Sequence, residues 1–195
     1  MEKVSIGPSN QFCPQALFLY GTYKEDGTPN FGLFCWFSYC FDTKLSVMAC
    51  IGGGTLTRDR IRAGGVFSAN LVTEPLLPLA DYLGNTEGYT PGKMDEIPIQ
   101  VDKGAVLNVP VLKNCPWVFE LEVSQTIQLD DSEVYLCKIR NVLAAKELMD
   151  ETKSPEERLQ LAKPVIWVSS GVGKYFRFDP AAVGATGDWK DAYKK

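Results

Sequence analysis

Met48-Ala-Cys-Ile-Gly-Gly-Gly-Thr-Leu-Thr-Arg-Asp-Arg-Ile-Arg-Ala-Gly-Gly-Val-Phe-Ser-Ala-Asn70 is the stretch on which the reading of this chain turns. It reads as strand, glycine loop, short helix, strand. Leu45 to Ile51 is apolar and β-prone, and its small residues suit close packing. Gly52, Gly53 and Gly54 then let the backbone take positive φ and come close to a ligand. Thr55 or Thr57 is placed to N-cap the following helix, so free N–H groups and two hydroxyls converge on one spot. Such a terminus suits a phosphate, and Arg58, Arg60 and Arg62 add positive charge nearby. Gly64-Gly65 stops the helix, and Val66 to Asn70 reads as a returning strand. The loop is not a Walker loop, because no Gly-Lys-Ser/Thr follows the glycines, and it lacks Gly-x-Gly-x-x-Gly spacing. On these residues alone, a plain turn capping an ordinary helix explains the stretch as well as a phosphate site does.

The composition narrows the choice. A chain of 195 residues suits one domain, here 1–195, with a core over about 13–178 and a loosely held tail over 179–195. With 45% hydrophobic and 23% charged residues it is globular, and a net charge of -4 argues against a nucleic-acid partner. No apolar run is long enough to span a bilayer, and Met1 to Ile6 has no signal-peptide core, so a cytoplasmic protein without a membrane partner is expected. The six cysteines form no Cys-x-x-Cys pair and read as reduced thiols, not as disulfides or a zinc site. There is no histidine. That excludes Ser-His-Asp and Cys-His nucleophiles, histidine-ligated zinc and histidine base catalysis. An enzyme with this composition leaves its hard chemistry to a bound cofactor, and no catalytic side chain or metal ligand is named.

Strand and turn signals fill in the rest. Leu17 to Tyr23 reads as a strand, Lys24 to Pro29 as a turn around Asp26-Gly27, and Asn30 to Ser38 as the partner strand. Phe41-Asp42-Thr43 bends the chain into the strand that ends at Ile51. Pro75 to Leu83 is predicted to be a helix ending at Gly84, followed by a turn-rich loop over Asn85 to Asp95. Pro116 to Gln128 and Glu133 to Leu143 are long strands joined at Asp130-Asp131-Ser132. Ser154-Pro-Glu-Glu157 is a capping box opening a helix to Lys163, before short strands over Pro164 to Ser169 and Lys174 to Phe178. Six or seven strands at hairpin spacing with three short helices favour a mainly β fold, a mostly antiparallel β-barrel, over a parallel α/β sheet.

The order of these pieces resembles the flavin reductase-like family, which includes the flavoredoxins and adopts the FMN-binding split barrel. The resemblance covers roughly residues 13 to 145. It is carried by Asp26-Gly-Thr-Pro-Asn30, Cys35-Trp36-Phe37, the Gly54-Thr55-Leu56-Thr57 loop with Ile61, Phe67-Ser-Ala-Asn70 and Gly92-Lys93-Met94. The chain departs from the family where Cys35 and Leu33 stand at places that often carry hydroxyls. It departs again where Gly92 and Met94 replace an acidic and an aromatic residue.

The resemblance implies a set of cofactor contacts. Cys35, Trp36, Phe37 and Ser38 would supply an apolar slot and backbone donors for an isoalloxazine ring, although an aromatic such as Trp36 in an apolar strand is ordinarily core. Asn30 becomes a polar contact near the ring or ribityl chain, and the backbone of Cys50, Ile51 and Gly52 would pass that chain. Thr55, Leu56 and Thr57 would hold the phosphate, with Arg58 either approaching it or lying on a solvated helix face. The Asn70 amide either closes a turn or touches the cofactor, and Lys93 either meets a nicotinamide phosphate or is solvated. The implied activity is that of an FMN-binding oxidoreductase moving hydride from NADH or NADPH to FMN. Two other readings stay open: an electron carrier reduced by a redox partner protein, and a non-enzymatic split-barrel module for another small ligand. A homodimer is also expected, because Trp36, Phe37, Tyr39 and Phe41 give one strand more apolar surface than a lone small barrel can enclose.

Overall fold

A computed structural model of the chain describes residues 1–169 and 173–186. The rest of the expected tail, 187–195, lies outside the described residues. The first strands are β1 (Gln15–Ala16), β2 (Phe18–Tyr23), β3 (Pro29–Phe34), β4 (Phe37–Phe41) and β5 (Leu45–Gly52). Helix α1 (Leu56–Gly64), strand β6 (Val66–Leu71) and helix α2 (Leu77–Asn85) follow. Strands β7 (Val101–Lys103), β8 (Pro110–Leu112), β9 (Trp117–Gln128) and β10 (Ser132–Ala144) come next. Helix α3 (Pro155–Ala162) and strands β11 (Val165–Val168) and β12 (Lys174–Arg177) complete the order.

Seven strands form one sheet in the order β3-β2-β6-β9-β10-β5-β4, every neighbour antiparallel. Its two edge strands, β3 and β4, are consecutive in the chain and separated only by Cys35 and Trp36. Two residues cannot cross a flat seven-stranded sheet, so the sheet must curl until its edges meet. This is the mainly β barrel that the strand spacing predicts. The closure also corrects one expectation: the apolar run from Asn30 to Ser38 is two strands. Phe37 N–H donates to Cys35 C=O in a tight turn at 3.1 Å, and Cys50 N–H donates to Trp36 C=O at 2.9 Å.

Alternation along the strands fills the barrel. Phe18 and Tyr20, Val47, Ala49 and Ile51, Phe67 and Ala69, Phe119 and Leu121, and Tyr135 and Cys137 form one buried cluster. Residues of opposite parity, Leu17, Leu19, Phe31 and Leu33, pack outward on Leu77, Ala80 and Leu83 of α2. Burial of a core this size is the main stabilising contribution, each buried large apolar side chain contributing about 1.5–3 kcal/mol. The predicted helix at Pro75 begins as a 3-10 turn over Glu74–Leu76 and then runs to Asn85. The capping box at Ser154 forms in both directions: Ser154 Oγ accepts from Glu157 N–H, and Ser154 N–H donates to the Glu157 carboxylate. Among the described residues no helix is long and apolar enough to cross a membrane.

Candidate functional site

The loop after β5 is built as its residues require. Gly53 sits at φ +69°, where a side chain would be strained, and its N–H donates to Asp131 C=O at 2.8 Å. Thr55 is the N-cap of α1, extended at φ -115°, and its hydroxyl oxygen accepts from Arg58 N–H at 3.2 Å. The helix closes with Gly65 in the left-handed region and its N–H on Ile61 C=O. The first-turn N–H groups therefore face the end of the glycine loop without intrahelical partners, with the positive end of the helix dipole behind them.

The three arginines of α1 separate into different roles. Arg60 donates to Tyr23 C=O at 3.1 Å and to Glu25 at 2.8 Å, tying the helix to the first hairpin. Arg62 donates to buried Glu133 at 2.6 Å, and with Tyr135 it holds that carboxyl below the usual carboxylate range despite burial. Arg58 has neither arrangement. Its side chain is 15% exposed, its Nε is buried with no hydrogen-bond partner, and its ion pair with Asp59 is long at 3.8 Å. A guanidinium nitrogen lies beside Gly54, 3.5 Å from where a Cβ would stand. A buried guanidinium N–H without a partner is costly, so its presence at a helix N-terminus points to an anion as its complement.

Beside this loop lies a mostly apolar cavity of about 420 Å³. Leu33, Phe34, Cys35 and Trp36 line it from the β3–β4 crossing, Cys50 and Gly52 from β5, and Trp167 and Tyr175 from the C-terminal strands. The Trp36 ring lies over Gly52, 3.4 Å from a notional Cβ there. Burial pushes the Cys35 thiol up, away from thiolate chemistry. Leu33 and Phe34 also line a smaller cavity of about 180 Å³, together with Thr55, Leu56, Thr57 and Lys93. Two spaces thus adjoin at Leu33 and Phe34, one apolar and large, the other small, reaching the start of α1 and bordered by hydroxyls and an ammonium.

The sequence model of the flavin reductase like domain matches residues 10–175. The chain belongs to the flavin reductase-like family. Its fold superimposes on the flavoredoxin of Desulfovibrio vulgaris (Miyazaki F) with a TM-score of 0.85, at 22% identity, covering 97% of this chain and 100% of that one. The flavoredoxin of Methanosarcina acetivorans gives 0.84 at 17% identity with 100% of both chains covered. A protein of Aeropyrum pernix is 24% identical over 148 residues, 75% of this chain, and the match spans only 55% of that protein.

Within this flavin reductase-like fold, eight of the thirteen expected contacts line the two cavities: Cys35, Trp36, Cys50 and Gly52 the larger, Thr55, Leu56, Thr57 and Lys93 the smaller. Asn30 sits just beneath them, buried, its amide donating to Thr57 Oγ at 3.0 Å and Thr22 Oγ at 3.3 Å. Lys93 is 4% exposed and donates to three carbonyls, of Phe31, Leu83 and Thr86, near the C-terminal end of α2. Burial lowers its pKa to about 8. Its ammonium is thus neither solvated nor aimed outward at a mobile phosphate.

The remaining expected contacts are placed differently. The Phe37 ring turns into the barrel and stacks on Phe18 at 4.1 Å, because strand alternation puts it opposite the cavity. Ile51 is in the core for the same reason, so it offers only backbone. Ser38 is exposed on β4 and donates to Tyr39 C=O. Of the two roles open to Asn70, the structure shows the structural one. Its amide donates to Leu19 C=O and Ser68 Oγ, and its carbonyl accepts from Leu112 N–H, all within 2.9 Å. Sequence reasoning passed over Trp167 and Tyr175, which arrive only because β11 pairs with β1. It also left Arg58 undecided, because nothing local distinguishes an arginine whose Nε lacks a hydrogen bond from its hydrogen-bonded neighbours.

Proposed function

We propose that this chain is an FMN-binding oxidoreductase of the flavin reductase type, with NADH or NADPH as hydride donor. The observation that carries this reading is the Arg58 guanidinium beside Gly54 at the N-terminus of α1, its buried Nε without a hydrogen-bond partner, in the loop that leaves the Gly52 wall of an apolar cavity lined by Trp36. Phosphate and flat apolar ring are the two ends of FMN, and the two adjoining spaces match that asymmetry in the right order. Thr55, the first-turn N–H groups and Arg58 would hold the phosphate. Cys50 and Gly52 would border the ribityl chain, and Trp36, Leu33 and Phe34 the ring. Thr57, positioned by Asn30, would offer a polar contact to the cofactor from the smaller space, while Lys93 stays on its three carbonyls.

When bound, the flavin would supply the redox chemistry, as the acceptor of hydride from the nicotinamide. The protein's residues bind, orient and keep water away, and none is required to move a proton, which agrees with a chain that has no histidine. Homodimerisation belongs to the same proposal. Trp36 is 53% and Met48 42% exposed on the outer side of the sheet, Phe41 and Leu45 add exposed apolar surface where β4 and β5 end, and α2 packs on β2 and β3 instead. A second copy laid on that face would cover it and wall the flavin from solvent.

Anaerobic mixing of the FMN-loaded protein with NADH or NADPH tests the activity. Bleaching of the flavin absorbance within seconds is expected with at least one nucleotide. Flavin that binds but is reduced only by dithionite would favour the flavoredoxin-like electron carrier, and colourless protein that ignores added FMN would remove both readings.

A further inference from the structure

On the other face of β2 lies a second cavity, of about 400 Å³, that shares no residue with the two described above. It sits where α3 approaches the inner lining of the barrel. Phe18, Tyr39, Trp117 and Phe119 form its aromatic side, and Leu159 and Ala162 its helical side. Phe119 is the centre of the aromatic wall. Tyr39 and Trp117 meet it near edge-on, at interplanar angles of 76° and 71°, and Phe18 lies 6.1 Å away. Such an arrangement offers a flat guest both ring faces and ring edges.

One charged side chain lines this cavity, that of Arg158. Its Nε is buried without a hydrogen-bond partner, and among the described residues Arg158 makes no ion pair and no side-chain hydrogen bond. An apolar cavity whose single charged group is an unpaired guanidinium lacks one complement, an anion. We propose that this cavity binds a flat aromatic carboxylate of one or two rings, with Arg158 taking the carboxylate. A guanidinium fork matches the two oxygens of a carboxylate. A phosphate monoester fits less well, since its third oxygen would face an almost wholly apolar wall. The volume falls within the range of small-molecule sites. The proposal does not rest on the flavin reading, because it uses neither the glycine loop nor the β3–β4 crossing.

Calorimetric titration of the full chain, with and without FMN, tests it using benzoate, 1-naphthoate and benzamide. Benzoate is expected to bind one site per chain with a dissociation constant of about 1 mM or tighter. Naphthoate binds several-fold more tightly, as it buries more apolar surface, and neutral benzamide at least roughly tenfold more weakly than benzoate. Arg158→Gln reduces benzoate affinity at least roughly tenfold, and Leu159→Trp, which fills the cavity from the helix side, abolishes binding. Circular dichroism of both variants checks that the fold is kept. No saturable benzoate binding, equal affinity for benzamide, or unchanged affinity in folded Arg158→Gln would each overturn the proposal. Binding lost in the presence of FMN would also overturn it, since that would put the acid in the flavin cavity.

Discussion

The two sides of the barrel both bury polar groups, and they treat them in opposite ways. Where β6 and β9 meet the β7–β8 hairpin, the buried Ser68, Asn70 and Glu120 are each matched. Asn70 makes three hydrogen bonds, and fully buried Glu120 accepts from the N–H groups of Ala105, Val106 and Leu107 and from the Asn141 amide. Burial alone would raise the Glu120 pKa, but those four donors outweigh it and hold the carboxyl below its usual range. Around the start of α1 the matching stops. Arg58 keeps a buried Nε without a hydrogen-bond partner, and its guanidinium lies beside Gly54, in the loop that leaves the Gly52 wall of the larger cavity. A saturated polar group is scaffold, and a buried polar group left unsaturated at a cavity marks where a ligand is missing.

Substitutions on the two sides should therefore separate stability from affinity. The largest effect is expected for Glu120→Ala, which leaves three backbone N–H groups and an amide unpaired and costs roughly 3 kcal/mol or more. In a chain of this size that is a fall in Tm of about 6–12 °C in a thermal melt. Arg58→Ala should do the reverse. It removes a group whose only ion pair, with Asp59, is long and whose Nε has no hydrogen-bond partner, so the melt of the free protein stays within about 1–2 °C, while FMN affinity falls roughly tenfold to a hundredfold. A stability loss at Arg58 as large as that at Glu120 would erase the distinction between the two sides.

Thr55→Ala sharpens it further, because Thr55 belongs to both categories. Loss of the cap should cost about 1 kcal/mol of stability, and Thr55→Ser should restore it. The smallest effect at neutral pH is that of pH itself. Glu120 and Glu133 both have folded pKa values below their unfolded ones. Their contribution is fully present above about pH 4.3, the unfolded value, and is lost as pH falls through the folded values. Denaturation midpoints should thus be flat from neutrality down to that region and then drop, and Glu120→Gln should flatten the drop. A midpoint that rises on acidification would contradict the assignment of both carboxylates.

How much of this was legible in the sequence follows the range of the forces involved. Local signals read well. Asp26-Gly27 makes the hairpin turn, with Gly27 at positive φ and the Asp26 side chain accepting from Thr28. The Gly64-Gly65 stop and the Ser154 capping box also stand where spacing put them. The break at Cys35-Trp36 did not read, because an apolar run carries no mark of where a sheet must close on itself. Lys93 and Asn70 looked like polar groups available to a cofactor, but the partners that hold them include Phe31 C=O, 62 residues from Lys93, and Leu112 N–H, 42 residues from Asn70. No local pattern records such partners. The same holds for Arg58: an Nε without a hydrogen-bond partner is a property of the folded neighbourhood alone.

The central claim is that the glycine loop and Arg58 hold a flavin phosphate, and comparing FMN with riboflavin tests it most directly. The two ligands share ring and ribityl chain and differ only in the phosphate. Fluorescence-quenching titrations should show FMN bound at least roughly tenfold more tightly than riboflavin, and Arg58→Ala should narrow that gap at least roughly tenfold by weakening FMN alone. Equal affinity for the two flavins, or a gap that survives Arg58→Ala unchanged, would place the phosphate elsewhere and contradict the account.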